Sequence, residues 1–205
     1  MEEAAAAAEI LGLAARENLG IPDGDIQNTK DNQRRVIRAV RRWRPRIVLV
    51  TAEHVRHPDH GDATRLAVDA LFYGGLAKVE TFEDDGTAQA PWRPHHVLHY
   101  LQALDAEPTF VVDVTSVWER RMKALLAYKS QFYQGDASGP DPSGPDGGEP
   151  DTYISNPRFL AWVEARARTF GYRIGADYGE PFVYRHGPVG VDDLVAVLGR
   201  EKPFR

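Results

Sequence analysis

Ile47-Val48-Leu49-Val50-Thr51 and, shortly after it, Arg56-His57-Pro58-Asp59-His60 form the stretch that decides how this chain folds. The first segment is a continuous apolar run, which is typical of a strand buried on both faces of a parallel sheet. The second segment is predicted to be a rigid loop, because Pro58 fixes its own φ and biases His57 away from helical geometry. Residues 62–76 have the spacing of an amphipathic helix. Ligands of an open α/β sheet bind outside the carboxyl ends of strands, so a site is expected at this loop.

The rest of the chain alternates helical and strand-like segments. Helices are predicted over residues 1–18, 30–44, 116–132, 157–171 and 191–198, and strands over residues 96–101 and 110–114. This alternation predicts a three-layer α/β/α fold with a Rossmann-like, mostly parallel sheet. We expect one domain over residues 1–205. Within it, residues 134–152 are rich in Gly, Pro, Asp and Ser, which predicts a flexible surface loop.

Capping residues mark where several of these helices begin. Thr29 is an expected N-cap, and Ser116 with Glu119 forms an expected capping box. Asn156 precedes a first-turn proline, which is another N-cap pattern. The buried stripe of the helix after Thr29 is predicted to be Val36, Val40 and Trp43.

The composition excludes several classes of protein and site. The 205 residues are 42% hydrophobic and 27% charged, which is typical of a globular chain. There is no cysteine, so any metal must be held by His, Asp or Glu. We find no apolar run of membrane-spanning length and no basic n-region, and we therefore expect a cytoplasmic protein without a membrane partner.

The helix predicted over residues 30–44 is strongly basic. Its arginines are Arg34, Arg35, Arg38, Arg41, Arg42 and Arg44. They form either a phosphate-binding face or a solvated surface helix. The net charge of −5 favours the solvated helix, and we predict no nucleic-acid partner.

His57, Asp59 and His60 are the main candidate site residues. Histidine is the commonest metal ligand and also serves as an acid or base near neutral pH. Asp59 is suited to hold one imidazole in a fixed tautomer. The alternative is that these histidines merely cap the next helix. We favour the functional interpretation, because a rigid His-Pro-Asp-His at a strand end has little structural purpose.

Other histidines give weaker signals. His54 adds a third imidazole to the loop or is simply exposed. His96 and His99 would face opposite sides of a regular strand, so with His95 they are predicted to be surface histidines rather than a shared metal site.

Three carboxylates leave alternatives open. Asp23 is either a turn-former or an acceptor for ligand hydroxyls, and its Pro-Asp-Gly context favours the turn. Asp113 either points into a site or caps the following helix, and Glu180 is either a site carboxylate or a solvated charge. A catalytic zinc takes three protein ligands plus water. By spacing alone the sequence therefore offers one ligand loop and an incomplete ligand set.

The His-Pro-Asp-His loop followed by a helix resembles the second motif of the LmbE-like (PIG-L) N-acetylglucosaminyl deacetylases. More specifically, the chain is similar to the bacillithiol biosynthesis branch. The supporting matches cover almost the whole chain and lie at residues 2–8, 17–24, 44–49, 110–114, 128–132 and 175–182.

The resemblance implies a zinc-dependent deacetylase with one divalent ion per subunit, acting on a small amino-sugar conjugate. In the bacillithiol branch the substrate is N-acetylglucosaminyl malate. It implies that His60 is a zinc ligand and that His57 stabilises the oxyanion or protonates the leaving amine. It further implies that Asp59 orients His57, that Asp23 binds sugar hydroxyls and that Arg56 lies at the pocket mouth. Members often form homo-oligomers, and we expect the same here.

One family motif is missing from this sequence. The family opens with a strand carrying Ala-His-Pro-Asp-Asp, which supplies two zinc ligands and the general base. We therefore expect the sheet to lack the family's first strand and the chain as given to be inactive. Either the start is misassigned or the chain is a fragment, or the loss is genuine and leaves a non-catalytic sugar-binding or assembly protein. We favour a misassigned start or a fragment, because the remaining site residues are intact.

Overall fold

A computed structural model describes residues 2–52, 55–102, 106–132 and 154–198. The helices are α1 (Glu2–Leu11), α2 (Lys30–Trp43), α3 (Pro58–Gly74), α4 (Trp118–Leu126), α5 (Pro157–Ile174) and α6 (Leu194–Leu198). The strands are β1 (Ile47–Thr51), β2 (His96–Tyr100), β3 (Phe110–Asp113) and β4 (Gly179–Tyr184), and a 3-10 helix covers Thr115–Val117. The loop predicted over residues 134–152 lies outside the described residues, as does His54.

The four strands lie in the order β1-β2-β4-β3. β1 pairs with β2 in parallel, and β2 pairs with β4 antiparallel. Val114 N donates to Tyr178 O and Thr109 N donates to Phe182 O, so β3 and β4 also run antiparallel. The predicted α/β class is confirmed. The mostly parallel sheet is corrected, because the antiparallel β4 lies between β2 and β3. β4 is not among the predicted strands, and it contains Gly179 and Pro181, which are unusual in a central strand.

β1 is an edge strand that is buried on one face only. Ile47 and Leu49 are 54% and 53% exposed, whereas Val50 is 8% exposed. The bounds of the strand agree with the prediction, but burial on both faces does not. An apolar run cannot by itself reveal that a strand lies at the edge of its sheet.

α2 begins as predicted and buries a different stripe. Thr29 Oγ1 accepts a hydrogen bond from Asn32 N, which confirms the N-cap. Ile37 is buried and Trp43 is 55% exposed, so the predicted stripe of Val36, Val40 and Trp43 is correct only at Val40. The true stripe also contains the polar residues Gln33 and Arg41, which a search for apolar spacing does not detect.

Three helix ends differ from the predictions for local reasons. α1 ends at Leu11, because Gly12 adopts a positive φ of 69° and terminates it. α4 has no capping box, since its N-cap Val117 makes no side-chain capping bond. α6 begins at Leu194 rather than at residue 191, because Asp193 Oδ1 accepts from the amides of Val195 and Ala196. The predicted N-cap at Asn156 is confirmed, with Arg158 N donating to its Oδ1.

The chain divides into two compact units, and the boundary falls within β3 and β4. In one unit, which includes α1, α4 and α5, Val114, Trp118 and Ala167 form the buried core, and the Trp118 and Tyr178 rings stack at 4.2 Å. In the other unit, residues 18–110 and 181–197, α2 packs on α3, and Leu66, Ala70 and Leu71 are buried. The candidate site lies in this second unit. The prediction of a single domain stays a prediction.

None of the helices in the described ranges has the length and apolar character that a membrane crossing requires.

Candidate functional site

The His-Pro-Asp-His motif forms the first turn of α3 rather than a loop ahead of it. His57 is the N-cap residue, with extended φ and ψ of −92° and 126°, and Pro58 occupies the first turn. The prediction placed the helix start at residue 62, and it is corrected because proline is well suited to a first helical position. The His57 side chain makes no capping hydrogen bond, so the capping alternative does not explain it.

The two imidazoles of the motif lie side by side at the end of β1. The centroids of the His57 and His60 rings are 5.4 Å apart, with an interplanar angle of 34°. Both side chains are exposed. His60 Nδ1 lies 2.9 Å from Gln102 Oε1, at a position just after β2. Both rings are exposed, and the His60 ring is held by Gln102. Two adjacent imidazoles of this kind can accept or donate a hydrogen bond or a proton, or ligate a metal.

Asp59 is buried, with 7% of its surface exposed. Its Oδ2 accepts a hydrogen bond of 2.6 Å from Gly24 N. This bond fixes the Asp23-Gly24 turn on the first turn of α3, and the positive φ of 76° at Gly24 suits that turn to glycine. Asp23 is exposed there. Among the described contacts of Asp59, none joins its carboxylate to the His57 ring.

A buried network of hydrogen bonds connects the end of β1 to the backbone of His60. Thr51 O accepts from Thr64 Oγ1 at 3.1 Å and lies 3.0 Å from His99 Nδ1. Thr64 Oγ1 also lies 3.0 Å from His60 O, so the strand end and the first turn of the helix share one hydroxyl. His99 is 4% exposed, which corrects its prediction as a surface histidine, whereas His96 is exposed as predicted.

Sequence reasoning missed Thr51, Thr64, His99 and Gln102 as parts of the site. The register of β1 against β2 sets Thr51 opposite Tyr100, so the two strand ends are adjacent. That pairing is the only signal that could have found Gln102, and it requires knowing that the two strands are neighbours.

The remaining candidates have simpler surroundings. Arg56 is exposed next to the motif. Asp113, in the other unit, accepts from Thr115 N at 3.0 Å, which agrees with the capping alternative. Glu180 is half-buried in β4.

The donor set does not by itself fit a catalytic zinc. Within the described ranges, no group of three or more His, Cys, Asp or Glu residues could hold a metal ion. His60 offers one nitrogen and His57 a neighbouring one, while Asp59 is directed at a backbone amide. A catalytic zinc takes three protein ligands. The described residues therefore supply fewer than the three ligands of such a site.

Several arginines of α2 have hydrogen-bond or ion-pair partners in neighbouring segments, whereas Arg34 is exposed. Arg41 is only 4% exposed and donates to Gly74 O, Leu76 O, Val79 O and Thr81 Oγ1. Arg38 binds Asp84, and Arg42 binds Glu83 and Asp84. The prediction of a solvated helix is corrected at Arg41.

The chain is similar in sequence to a deacetylase and to a hydratase. Residues 1–71 match the PIG-L family, described as GlcNAc-PI de-N-acetylase. Diacetylchitobiose deacetylase of Thermococcus kodakarensis is 27% identical over 135 residues, covering 64% of this chain and 49% of that protein. The 4-oxalmesaconate hydratase of Pseudomonas putida is 32% identical over 145 residues, covering 63% and 50%. The chain thus spans about half the length of the curated relatives it matches.

One solved structure is similar over nearly the whole chain. The conserved protein TT1542 from Thermus thermophilus has a TM-score of 0.73 and 33% identity, and the match covers 93% of this chain and 74% of that one. The mixed α/β fold described above is therefore shared with it.

Proposed function

We infer that this chain, which belongs to the PIG-L/LmbE-like deacetylase family, acts in the hydrolysis of the N-acetyl group of an N-acetylglucosamine conjugate. We propose zinc as the metal and N-acetylglucosaminyl malate, a precursor of bacillithiol, as the substrate. The one observation that carries the proposal is the Asp59–Gly24 hydrogen bond. It brings the Asp23 turn to the same helix turn that presents His57 and His60.

The proposed reaction adds water across an amide. The oxygen of water bonds to the acetyl carbon, the C–N bond breaks, and both protons of the water pass to the leaving nitrogen, which gives acetate and a protonated amino sugar. A zinc ion, with His60 as one of its ligands, would supply Lewis-acid activation of the water and of the carbonyl.

The residues of this chain have separate proposed roles in that reaction. His60 is a ligand for the metal, and His57 stabilises the developing oxyanion or protonates the leaving amine. Asp23 accepts hydrogen bonds from sugar hydroxyls, and Arg56 lies at the mouth of the pocket. We assign Asp59 to holding the Asp23 turn in place, because its carboxylate binds Gly24 N.

A second candidate is a sugar-binding or assembly protein without catalysis. The lack of a three-ligand group among the described residues favours it. It retains the Asp23 turn and the two imidazoles as a binding surface. It predicts saturable binding of the sugar, or self-association, that does not depend on zinc.

The test is amine release by the 205-residue protein, first treated with a chelator and then assayed with and without added Zn²⁺. N-acetylglucosaminyl malate and N,N′-diacetylchitobiose are compared, and addition of water to 4-oxalmesaconate is assayed in parallel because one relative is a hydratase. The catalytic proposal predicts zinc-dependent amine release that is lost in His60→Ala and reduced at least about 100-fold in His57→Ala, whereas the missing first motif predicts no release by the chain as given. His95→Ala is the matched control, since His95 is an exposed histidine elsewhere in the same unit.

Amine release that is absent at every zinc concentration overturns the catalytic proposal. Zinc-independent sugar binding by the same sample then supports the second candidate. Hydration of 4-oxalmesaconate without amine release replaces both with a hydratase.

A further inference from the structure

The side chain of Gln102 contacts the His60 ring, and no motif in the sequence predicts this contact. We propose that Gln102 is a positioning residue that fixes His60 as the Nδ1–H tautomer and keeps Nε2 unprotonated. The tautomer does not depend on the proposed function. Only the identity of the partner that Nε2 then contacts rests on it.

The hydrogen bonds around Gln102 determine which tautomer His60 adopts. Gln102 Oε1 lies 2.9 Å from His60 Nδ1 and 3.0 Å from Thr51 Oγ1. A carbonyl oxygen only accepts, so both neighbours must donate to it and His60 Nδ1 must carry the hydrogen.

The opposite amide orientation is chemically poorer. With the Gln102 NH₂ group in that position, it would donate to both Thr51 Oγ1 and His60 Nδ1. The Thr51 hydroxyl would then lose the acceptor that it has in the present arrangement, and Thr51 is only 8% exposed. A buried donor without an acceptor is destabilising, so the orientation with Oε1 facing the ring is favoured.

The surrounding backbone keeps this geometry in place. Thr51 contributes its hydroxyl to Gln102, and its carbonyl accepts from Thr64. Thr64 lies within hydrogen-bond distance of the His60 carbonyl and is 1% exposed. The backbone of His60 and the group that holds its ring are therefore anchored to the same strand end, which restricts rotation of the ring.

This arrangement prepares one nitrogen for an external partner. The nitrogen that does not face Gln102 is held as an unprotonated acceptor on an exposed ring. A histidine whose other ring nitrogen donates to a carbonyl oxygen is the arrangement typical of metal-binding imidazoles.

The experiment reads the tautomer directly and needs neither metal nor substrate. The 205-residue protein is labelled with ¹⁵N-histidine, freed of metal with a chelator and examined by two-bond ¹H–¹⁵N correlation at a pH where imidazole is neutral. His60→Asn assigns the resonance. We expect Nδ1 of His60 to be protonated in the unmodified protein and in Gln102→Glu, which keeps an acceptor. We expect Gln102→Leu to lose this single tautomer, and the exposed Gln27→Leu to leave it unchanged.

Protonation at Nε2 in the unmodified protein, or an unchanged tautomer in Gln102→Leu, overturns the inference. Should Gln102→Leu not fold, Thr51→Val removes the hydroxyl that orients the amide, and loss of the single tautomer is expected there too. The Nδ1–H tautomer without amine release leaves the Gln102 inference standing and removes the deacetylase proposal. Amine release with the Nε2–H tautomer does the reverse.

Discussion

Arg41 is a charged residue whose side chain is almost completely buried. Its guanidinium donates to three backbone carbonyls and one hydroxyl of residues 74–81, and burial lowers its pKa. Arginine remains charged at neutral pH despite such a shift. The side chain therefore ties the segment after α3 to α2, a purpose that its place in a basic helix does not suggest.

We expect Arg41→Met to destabilise the protein by about 3 kcal/mol or more, because several buried carbonyls lose their donor at once. Arg34→Met is the matched control. Arg34 lies on the same helix but is exposed, so its substitution should change stability by less than about 0.5 kcal/mol. The measurement is the urea midpoint of both variants. Equal midpoints would show that the Arg41 hydrogen bonds contribute nothing.

Glu3 forms a contact with Ser130 whose contribution to stability depends on pH. The side-chain hydrogen bond from Ser130 Oγ, together with the bond from Ser130 N, lowers the pKa of Glu3. Because the folded pKa is lowered, this contact stabilises the protein above the ordinary glutamate pKa and is lost as pH falls through the lowered value. We expect Ser130→Ala to raise the Glu3 pKa toward its usual range in a carboxyl NMR titration. Ser116→Ala, at another exposed serine, should leave it unchanged.

At the scale of elements, α5 and the start of β4 approach each other through two glycines. A Cβ on Gly171 would lie 2.6 Å from Ala176 O and 2.8 Å from Tyr178 N. A Cβ on Gly179 would lie 2.7 Å from Gly171 N. These are backbone atoms, which cannot move aside as a flexible side chain can. The close approach follows from the tight turn at Gly175, whose φ is 75°.

We expect Gly171→Ala to destabilise the protein by about 1–3 kcal/mol, because the added methyl group forces the α5–β4 connection apart. Gly190→Ala is the control, since no atom lies within 4 Å of a Cβ there, and it should change stability by less than about 0.5 kcal/mol. Unfolding in urea followed by circular dichroism compares the two. A neutral Gly171→Ala would mean that the turn relaxes without loss.

Neighbouring residues predicted several helix and strand bounds well, but they did not predict how the strands pair. The cap at Thr29, the cap at Asn156 and the bounds of β1 follow from neighbouring residues, and all three agree with the structure. β4 did not follow, because its antiparallel place beside β2 depends on residues far away in the chain. The side-chain direction of Asp59 also depends on a distant partner, Gly24, and no local pattern could predict it.

At the scale of the whole molecule, the candidate site depends on parts of the chain that are remote in sequence. The motif predicted where two imidazoles lie, and the structure places their rings 5.4 Å apart. Sequence alone could not show that Gln102 approaches His60, because this requires the parallel pairing of β1 and β2. The sequence therefore predicted that the two imidazoles lie at one place, but it did not predict the Gln102 side chain that holds His60.

The distribution of charge over the molecule leads to a last prediction, which concerns nucleic acid. The net charge is −5, and Arg38 and Arg42 are paired with Glu83 and Asp84. We expect no salt-dependent binding of labelled duplex DNA by fluorescence anisotropy between about 50 and 200 mM salt. The double variant Glu83→Gln, Asp84→Asn removes the carboxylate partners of Arg38 and Arg42 and reduces the net negative charge. It should gain weak binding that salt abolishes, since each phosphate contact adds to the slope against salt. Salt-sensitive binding by the unmodified protein would mean that the helix carries a phosphate-binding face despite these ion pairs.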